Sequence, residues 1–257
     1  MFNIPHVPRK AFKRQFIARA FCEIRFPVQL DTDWNTKKNQ LPAFLKETEF
    51  VKINDATETS LEIPNQIDNS TLSAVKFSST RVGIAFTNID GSKSVQIAKD
   101  RVIISLQNYK GFDAFWNDVA FAIKAVGDLF SISSFSWIGI RKQNTVGVQV
   151  SNGMYLGEGV NSMLFTPLRQ QIFDPKSLQV GESTYVISKD KTTAIIRTNA
   201  TRQADQNMSV NIDLDVNREI EGVNSDALIQ IAKQLNELSF DIFCWATDPS
   251  LLKALDE

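Results

Sequence analysis

Histidine is nearly missing from this chain. His6 is the only one, and it lies between Pro5 and Pro8 in what reads as a poorly ordered tail. Imidazole-assisted nucleophilic catalysis needs the ring held beside a Ser or Cys, and zinc sites need three or four His, Cys or carboxylate ligands in close spacing. A single ring on a loose arm serves neither purpose. Cysteine is almost as scarce. Cys22 and Cys244 sit in apolar surroundings at opposite ends of the chain, a pattern of buried thiols in a reducing compartment rather than of a disulfide framework. The expectation is a cytoplasmic protein with no metal and no other cofactor.

Other absences narrow the field further. No apolar run is long enough to span a bilayer, so no membrane partner is expected. The N-terminus has the positive charge of a signal peptide but not its uninterrupted apolar core, because Arg14, Arg19, Glu23 and Arg25 punctuate it. Neither sign of charge dominates: 28 Lys and Arg face 29 Asp and Glu, a net charge of −1. That balance excludes a surface wholly given over to nucleic acid, which takes a surplus of cations. The glycines of residues 151–161 (Gly153, Gly157, Gly159) lack the Gly-Lys-Ser/Thr ending and strand-to-helix setting of a phosphate loop and read as a connector.

What is present is a succession of strand and helix patterns. Ile17 to Leu30 alternates Phe21 and Glu23 with Cys22 and Ile24 before Pro27, which suits a strand with one covered face. Asp31 or Thr32 starts a helical pattern through about Lys46, with Pro42 forcing a kink or a division into two short helices. A short strand is expected over Phe50–Ile53, then an irregular loop to Leu72. From Leu72 to Gln107, β-rich runs are broken by turn signals at Ser78-Ser79, Asp90-Gly91-Ser92 and Lys99-Asp100. Between Phe112 and Phe130, apolar residues recur at spacings of three and four, the mark of an amphipathic helix. Ser136–Val150 returns to strand. A loop (Ser151–Asn161) and an apolar piece (Met163–Phe173) precede strands at Gln179–Ser188, Thr192–Thr201 and Met208–Val216. A last helix from Ser225 to about Trp245 is expected to take Asp226 as its cap.

The two halves share this order. The fold class expected is α+β, in two tandem units, each a curved antiparallel sheet covered by its C-terminal amphipathic helix. The boundaries are a basic N-terminal tail over 1–15, a first unit over 16–131 and a second over 132–257. The tail reads either as an arm gripping phosphate or an acidic partner, or as a solvated terminus pairing with acidic surface of the same chain. The region from Asp213 onward supplies such a surface, with ten Asp or Glu against Arg218, Lys233 and Lys253.

Candidate site residues come from charges on strands. Asp213 and Asp215 are two apart and share a face; with Glu23 or Glu219 they have the composition of a Mg²⁺ site, and equally that of a solvated strand face. Arg25, Arg141 and Arg197, with Asn144, are the groups expected in a groove between the units, either gripping an anionic ligand or closed into internal ion pairs with Glu23, Asp213 or Asp215. The ligand- or partner-binding set is thus Glu23, Arg25, Arg141, Asn144, Asp213 and Asp215, with no catalytic residue and no metal ligand assigned. Trp34, Trp116, Trp137 and Trp245 read as core or interface anchors.

Pro8, then Cys22-Glu23-Ile24-Arg25-Phe26, Phe86-Thr87-Asn88-Ile89-Asp90-Gly91, Tyr109 with Phe115-Trp116, Gly139-Ile140-Arg141 with Asn144, and Ile212-Asp213-Leu214-Asp215-Val216 stand in an order that resembles a sporadically distributed family of uncharacterised bacterial proteins. The likeness extends over nearly the whole chain, although Lys142 stands where that family has an aromatic. It implies a horizontally mobile bacterial gene and carries no established activity. The expected function is non-catalytic: binding of another protein, encoded nearby, in a mobile bacterial defence or toxin–antitoxin type system. Two alternatives stay open. One is a nucleotide or anionic ligand, with Mg²⁺-dependent chemistry, in a groove between the units; the other is nucleic acid gripped by the basic arm. The sequence does not set the oligomeric state.

Overall fold

Ala20, Cys22 and Ile24 are buried, while Arg19, Phe21, Glu23 and Arg25 between them are not, the period of two that an extended chain with one covered face must show. This strand, β1 (Ile17–Arg25), lies in the middle of the sheet. The computed structural model describes residues 4–8, 12–13, 16–45, 50–62, 76–148, 180–202, 208–247, 252–253 and 255. After β1 come two short helices, α1 (Asp31–Lys37) and α2 (Leu41–Leu45), with a 3-10 turn over Lys38–Gln40 between them. Pro42 stands in the first turn of α2, where its missing N–H has no intrahelical partner to lose.

The chain continues through β2 (Phe50–Glu62), β3 (Lys76–Asn88), β4 (Lys93–Ala98) and β5 (Arg101–Leu106) to α3 (Phe112–Phe130). It then runs through β6 (Phe135–Val148), β7 (Val180–Lys189), β8 (Thr192–Arg202) and β9 (Met208–Val223) to α4 (Ser225–Ala246). The strands form one antiparallel sheet in the order β2-β3-β4-β5-β1-β6-β9-β8-β7. The structure is therefore α+β. Pairing of β1 with β6, Phe21 opposite Arg141 and Cys22 opposite Ile140, makes the sheet continuous.

Three strands run further than their side chains suggest. β2 extends past Ile53 to Glu62, β3 passes through Ser78-Ser79 without a break, and β9 continues past Val216. Pairing of β2 with β3 from Phe50 opposite Asn88 to Glu62 opposite Lys76 satisfies the backbone, so polar residues are carried along. The other two turn signals are turns. At the β3–β4 hairpin the Asn88 side chain accepts from Lys93 N at 2.9 Å, Asp90 accepts from Ser92 N at 2.9 Å, and Gly91 takes a φ of 77°. These bonds to the Asp90 carboxylate hold its pKa below the ordinary value.

The helices cover one face. Phe115, Val119 and Val126 of α3 and Leu228, Leu235 and Ile242 of α4 are buried, with Ile104, Ile138, Ile140, Ile212 and Leu214 of the sheet in the same core. Trp34 of α1 stacks on Phe130 at 5.4 Å, adding the short helices to this layer. The cap of α4 is Asn224, whose Oδ1 accepts from Ala227 N at 3.0 Å; Asp226, expected in that role, is one of the first-turn residues, where its charge suits the helix dipole. Cys22 is buried, which pushes its thiol pKa far up, and neither cysteine forms a disulfide.

The N-terminal arm is anchored. Val7 N donates to Asp241 Oδ1 at 2.9 Å, His6 Nδ1 lies 3.2 Å from Asp241 Oδ2, and Phe16 stacks on Phe243 at 4.5 Å. Phe12 packs between Phe16 and Phe240. The tail was expected to be poorly ordered or to pair with acidic surface of the same chain; it bonds to Asp241 of the acidic region, and its phenylalanines add apolar contacts. The loop Ser151–Asn161 and the piece Met163–Phe173 lie outside the described residues.

Candidate functional site

Side chains that alternate with the buried rows point to the other face, where no described helix packs. Strand register lays them out in rows. Arg25 of β1 is opposite Trp137 of β6, Glu23 opposite Gly139, Phe21 opposite Arg141 and Arg19 opposite Gln143. On β9, Asp215 is opposite Arg141 and Asp213 opposite Gln143, while β8 brings Arg197 level with Asp213.

At the β1–β6 seam an arginine is held in a fixed pose. Trp137 lies against the backbone of Gly139 so closely that a Cβ there would sit 2.3 Å from its Cη2 atom. The Arg25 guanidinium rests over the indole, 4.6 Å from the ring centroid, and its Nε donates to Glu23 Oε1 at 2.7 Å. Among the described residues nothing takes its two Nη groups, so a planar fork of donors is presented outward. Arg101 Nη1 lies 4.0 Å from the same Glu23 carboxylate.

One row further, Arg141 grips Asp213 with both Nε, at 2.8 Å, and Nη2, at 2.5 Å. This forked bond raises the Arg141 pKa above its ordinary value. Arg197 Nη1 lies 3.7 Å from the same carboxylate and has no hydrogen-bond partner among the described residues. Phe21 is flanked by Arg19 at 5.4 Å and Arg141 at 5.6 Å. Asp215, although opposite Arg141, receives only a 3.4 Å contact from Asn217 Nδ2. Burial raises its pKa, against the smaller opposing pull of Asn217 and the two arginines. Beside Arg197 is a hollow of about 420 Å³ lined by Gln143, Thr145, Asn199, Asn211, Thr184 and Glu182.

The structure thus brings Glu23, Arg25, Arg141, Asp213 and Asp215 to one face of neighbouring strands. Asn144 is not with them. It is three residues from Arg141, and on a strand an odd spacing puts two side chains on opposite faces. Asn144 is buried at 2% exposure on the helix side, and its Nδ2 donates to Ile212 O at 2.8 Å. Lys142 shares that side, where its Nζ donates to Asn236 Oδ1 at 2.5 Å and lies 5.2 Å from the Tyr109 ring centroid.

No group of three His, Cys, Asp or Glu among the described residues is arranged to hold a metal ion. Trp34 and Trp116 are core residues, whereas Trp137 belongs to the open face. Trp137 and Gly139 were missed as a pair. Their i, i+2 spacing on a strand was the available signal. No described helix is long and apolar enough to cross a membrane. No model of a known protein family matches the chain, no curated protein matches it, and no solved structure matches it.

Proposed function

We propose that the protein is a non-catalytic binding module that docks another protein on the sheet face where no described helix packs. The observation that carries this reading is the Arg25–Trp137–Gly139 stack, an aromatic and an arginine preorganised at one end of the central strands on that face. Trp and Arg are the residues that dominate protein–protein hot spots, and ordering them in advance lowers the cost of binding. Charge selects the class of partner. Arg19, Arg25, Arg101, Arg141, Arg197 and Lys52 on this face are interspersed with Glu23, Asp213, Asp215, Glu182 and Glu219. A face so balanced suits a protein surface of mixed charge, with a carboxylate opposite the Arg25 fork, better than a polyanion.

In this reading the sheet consists of two related units, 16–131 and 132–257, each closed by its own long helix and joined at β1–β6, so the docking residues sit on the seam. The protein acts in the cytoplasm, and its partner is the product of a neighbouring gene in a mobile defence or toxin–antitoxin type locus. Co-expression with each adjoining gene product tests this. One of them should copurify with the native chain and be lost when Arg25 and Trp137 are both replaced by Ala; a complex indifferent to both replacements would place the docking surface elsewhere.

A second reading has its own support in the hollow beside Arg197, whose amides, hydroxyls and unsatisfied guanidinium suit a small polar or anionic ligand. Thermal shifts with nucleotides and Mg²⁺ that vanish in Arg197→Ala would favour it.

A further inference from the structure

The outermost strands of the sheet are built differently. β2 has register shifts between Phe50 and Lys52 and between Ala56 and Thr57, and it intersperses Lys52, Asn54 and Asp55 with its exposed Val51 and Ile53. Bulges and charges are the usual devices that keep a free edge from pairing. β7 has neither along its middle. Its ten residues pair with β8 from Val180 opposite Thr201 to Lys189 opposite Thr192 without a shift. Its consecutive Tyr185, Val186 and Ile187 are 38%, 63% and 39% exposed, and they present apolar surface on both faces of the strand. Proline is absent from it, and its only charges, Glu182 and Lys189, stand toward the ends. Among the described residues β7 has a hydrogen-bonded neighbour on one side only.

We propose that β7 is a dimerisation edge on which a second copy of this chain adds its own β7, antiparallel, about a two-fold axis beside Val186. A two-fold perpendicular to the sheet keeps both helix layers on the same side and preserves the alternation of faces. In that register Val186 meets its counterpart, Tyr185 meets Ile187 twice, and Thr184 meets Ser188 twice. Apolar residues thus face apolar residues and hydroxyls face hydroxyls, the cross-strand pairs that stabilise a ladder. No like charges oppose each other from Thr184 to Ser188. Glu182 and Asp190 come opposite only at the solvated ends, where screening weakens their repulsion. Because the strand is complementary to itself, a second copy is the occupant it fits.

Sedimentation of the full chain at micromolar concentration should give twice the chain mass of 28.9 kDa. Val186→Lys sets two ammonium groups face to face on the axis and should weaken the dimer by roughly a hundred-fold. The same change on the other edge, Val51→Lys, should leave it intact. Val186→Cys should form a disulfide-linked dimer on mild oxidation, since residues directly opposite in an antiparallel pair lie within disulfide reach. Circular dichroism confirms that each variant is folded. A native chain that sediments as a monomer, or a Val186→Lys dimer as tight as the native one, overturns the proposal.

Discussion

Along β6 the helix-covered face reads Ile138, Ile140, Lys142, Asn144, and the opposite face, one residue out of step, reads Trp137, Gly139, Arg141, Gln143. The first row is spent on the fold: two isoleucines are fully buried, and the polar members bond to Asn236 and Ile212. The second row contributes much less to folding. A strand face open to solvent is well served by Thr, Val or Lys, yet this one orders an arginine on a tryptophan over a glycine and ties two arginines to one aspartate. This is the row on which the proposed docking surface rests.

Substitutions that separate the two faces should differ in size and in what they disturb. The largest loss belongs to the covered face. Phe115→Ala empties a fully buried ring site in α3 and should cost about 3–5 kcal/mol in denaturant unfolding. On the open face, Asp213→Ala leaves Arg141 and Arg197 beside each other without their shared carboxylate and should cost about 2 kcal/mol. Gly139→Ala pushes the Trp137 ring off the sheet, so about 1 kcal/mol should be lost together with a change in the near-ultraviolet tryptophan dichroism.

Asp215 gives a contrast in sign. Its folded pKa lies above the unfolded one, so its contribution is fully favourable below the unfolded value and is lost as pH rises through the folded value. Asp215→Asn should therefore leave the protein as stable or more stable than the native chain at neutral pH, with the difference shrinking on acidification. Thermal unfolding at neutral and acid pH measures it.

How far this division could be read in the chain varies by residue. The helix over Phe112–Phe130 and the turn at Asp90-Gly91 were legible because their signals are local: apolar spacing in one, Asx and Gly chemistry in the other. The Arg25–Glu23 pair is local too, two residues apart on one face. Arg141 and Asp213 are 72 positions apart, and only the β6–β9 register makes them neighbours, so sequence could name the partners without choosing among them. Asn144 was grouped with Arg141 by proximity, although parity along the strand separates them. The long β2 hid behind polar residues that cross-strand bonds carry. The anchoring of the arm through Phe12 and Phe16 depends on Phe240 and Phe243 at the far end of the chain, which no local signal names.

The smallest expected effect on stability tests the comparison most directly. Arg25→Ala removes an exposed side chain and should shift unfolding by no more than about 0.5 kcal/mol. If the open face is a docking surface, the same variant should bind the copurifying partner at least roughly tenfold more weakly in a titration by calorimetry. Unchanged affinity in Arg25→Ala and in Trp137→Ala, with both proteins folded, would contradict it.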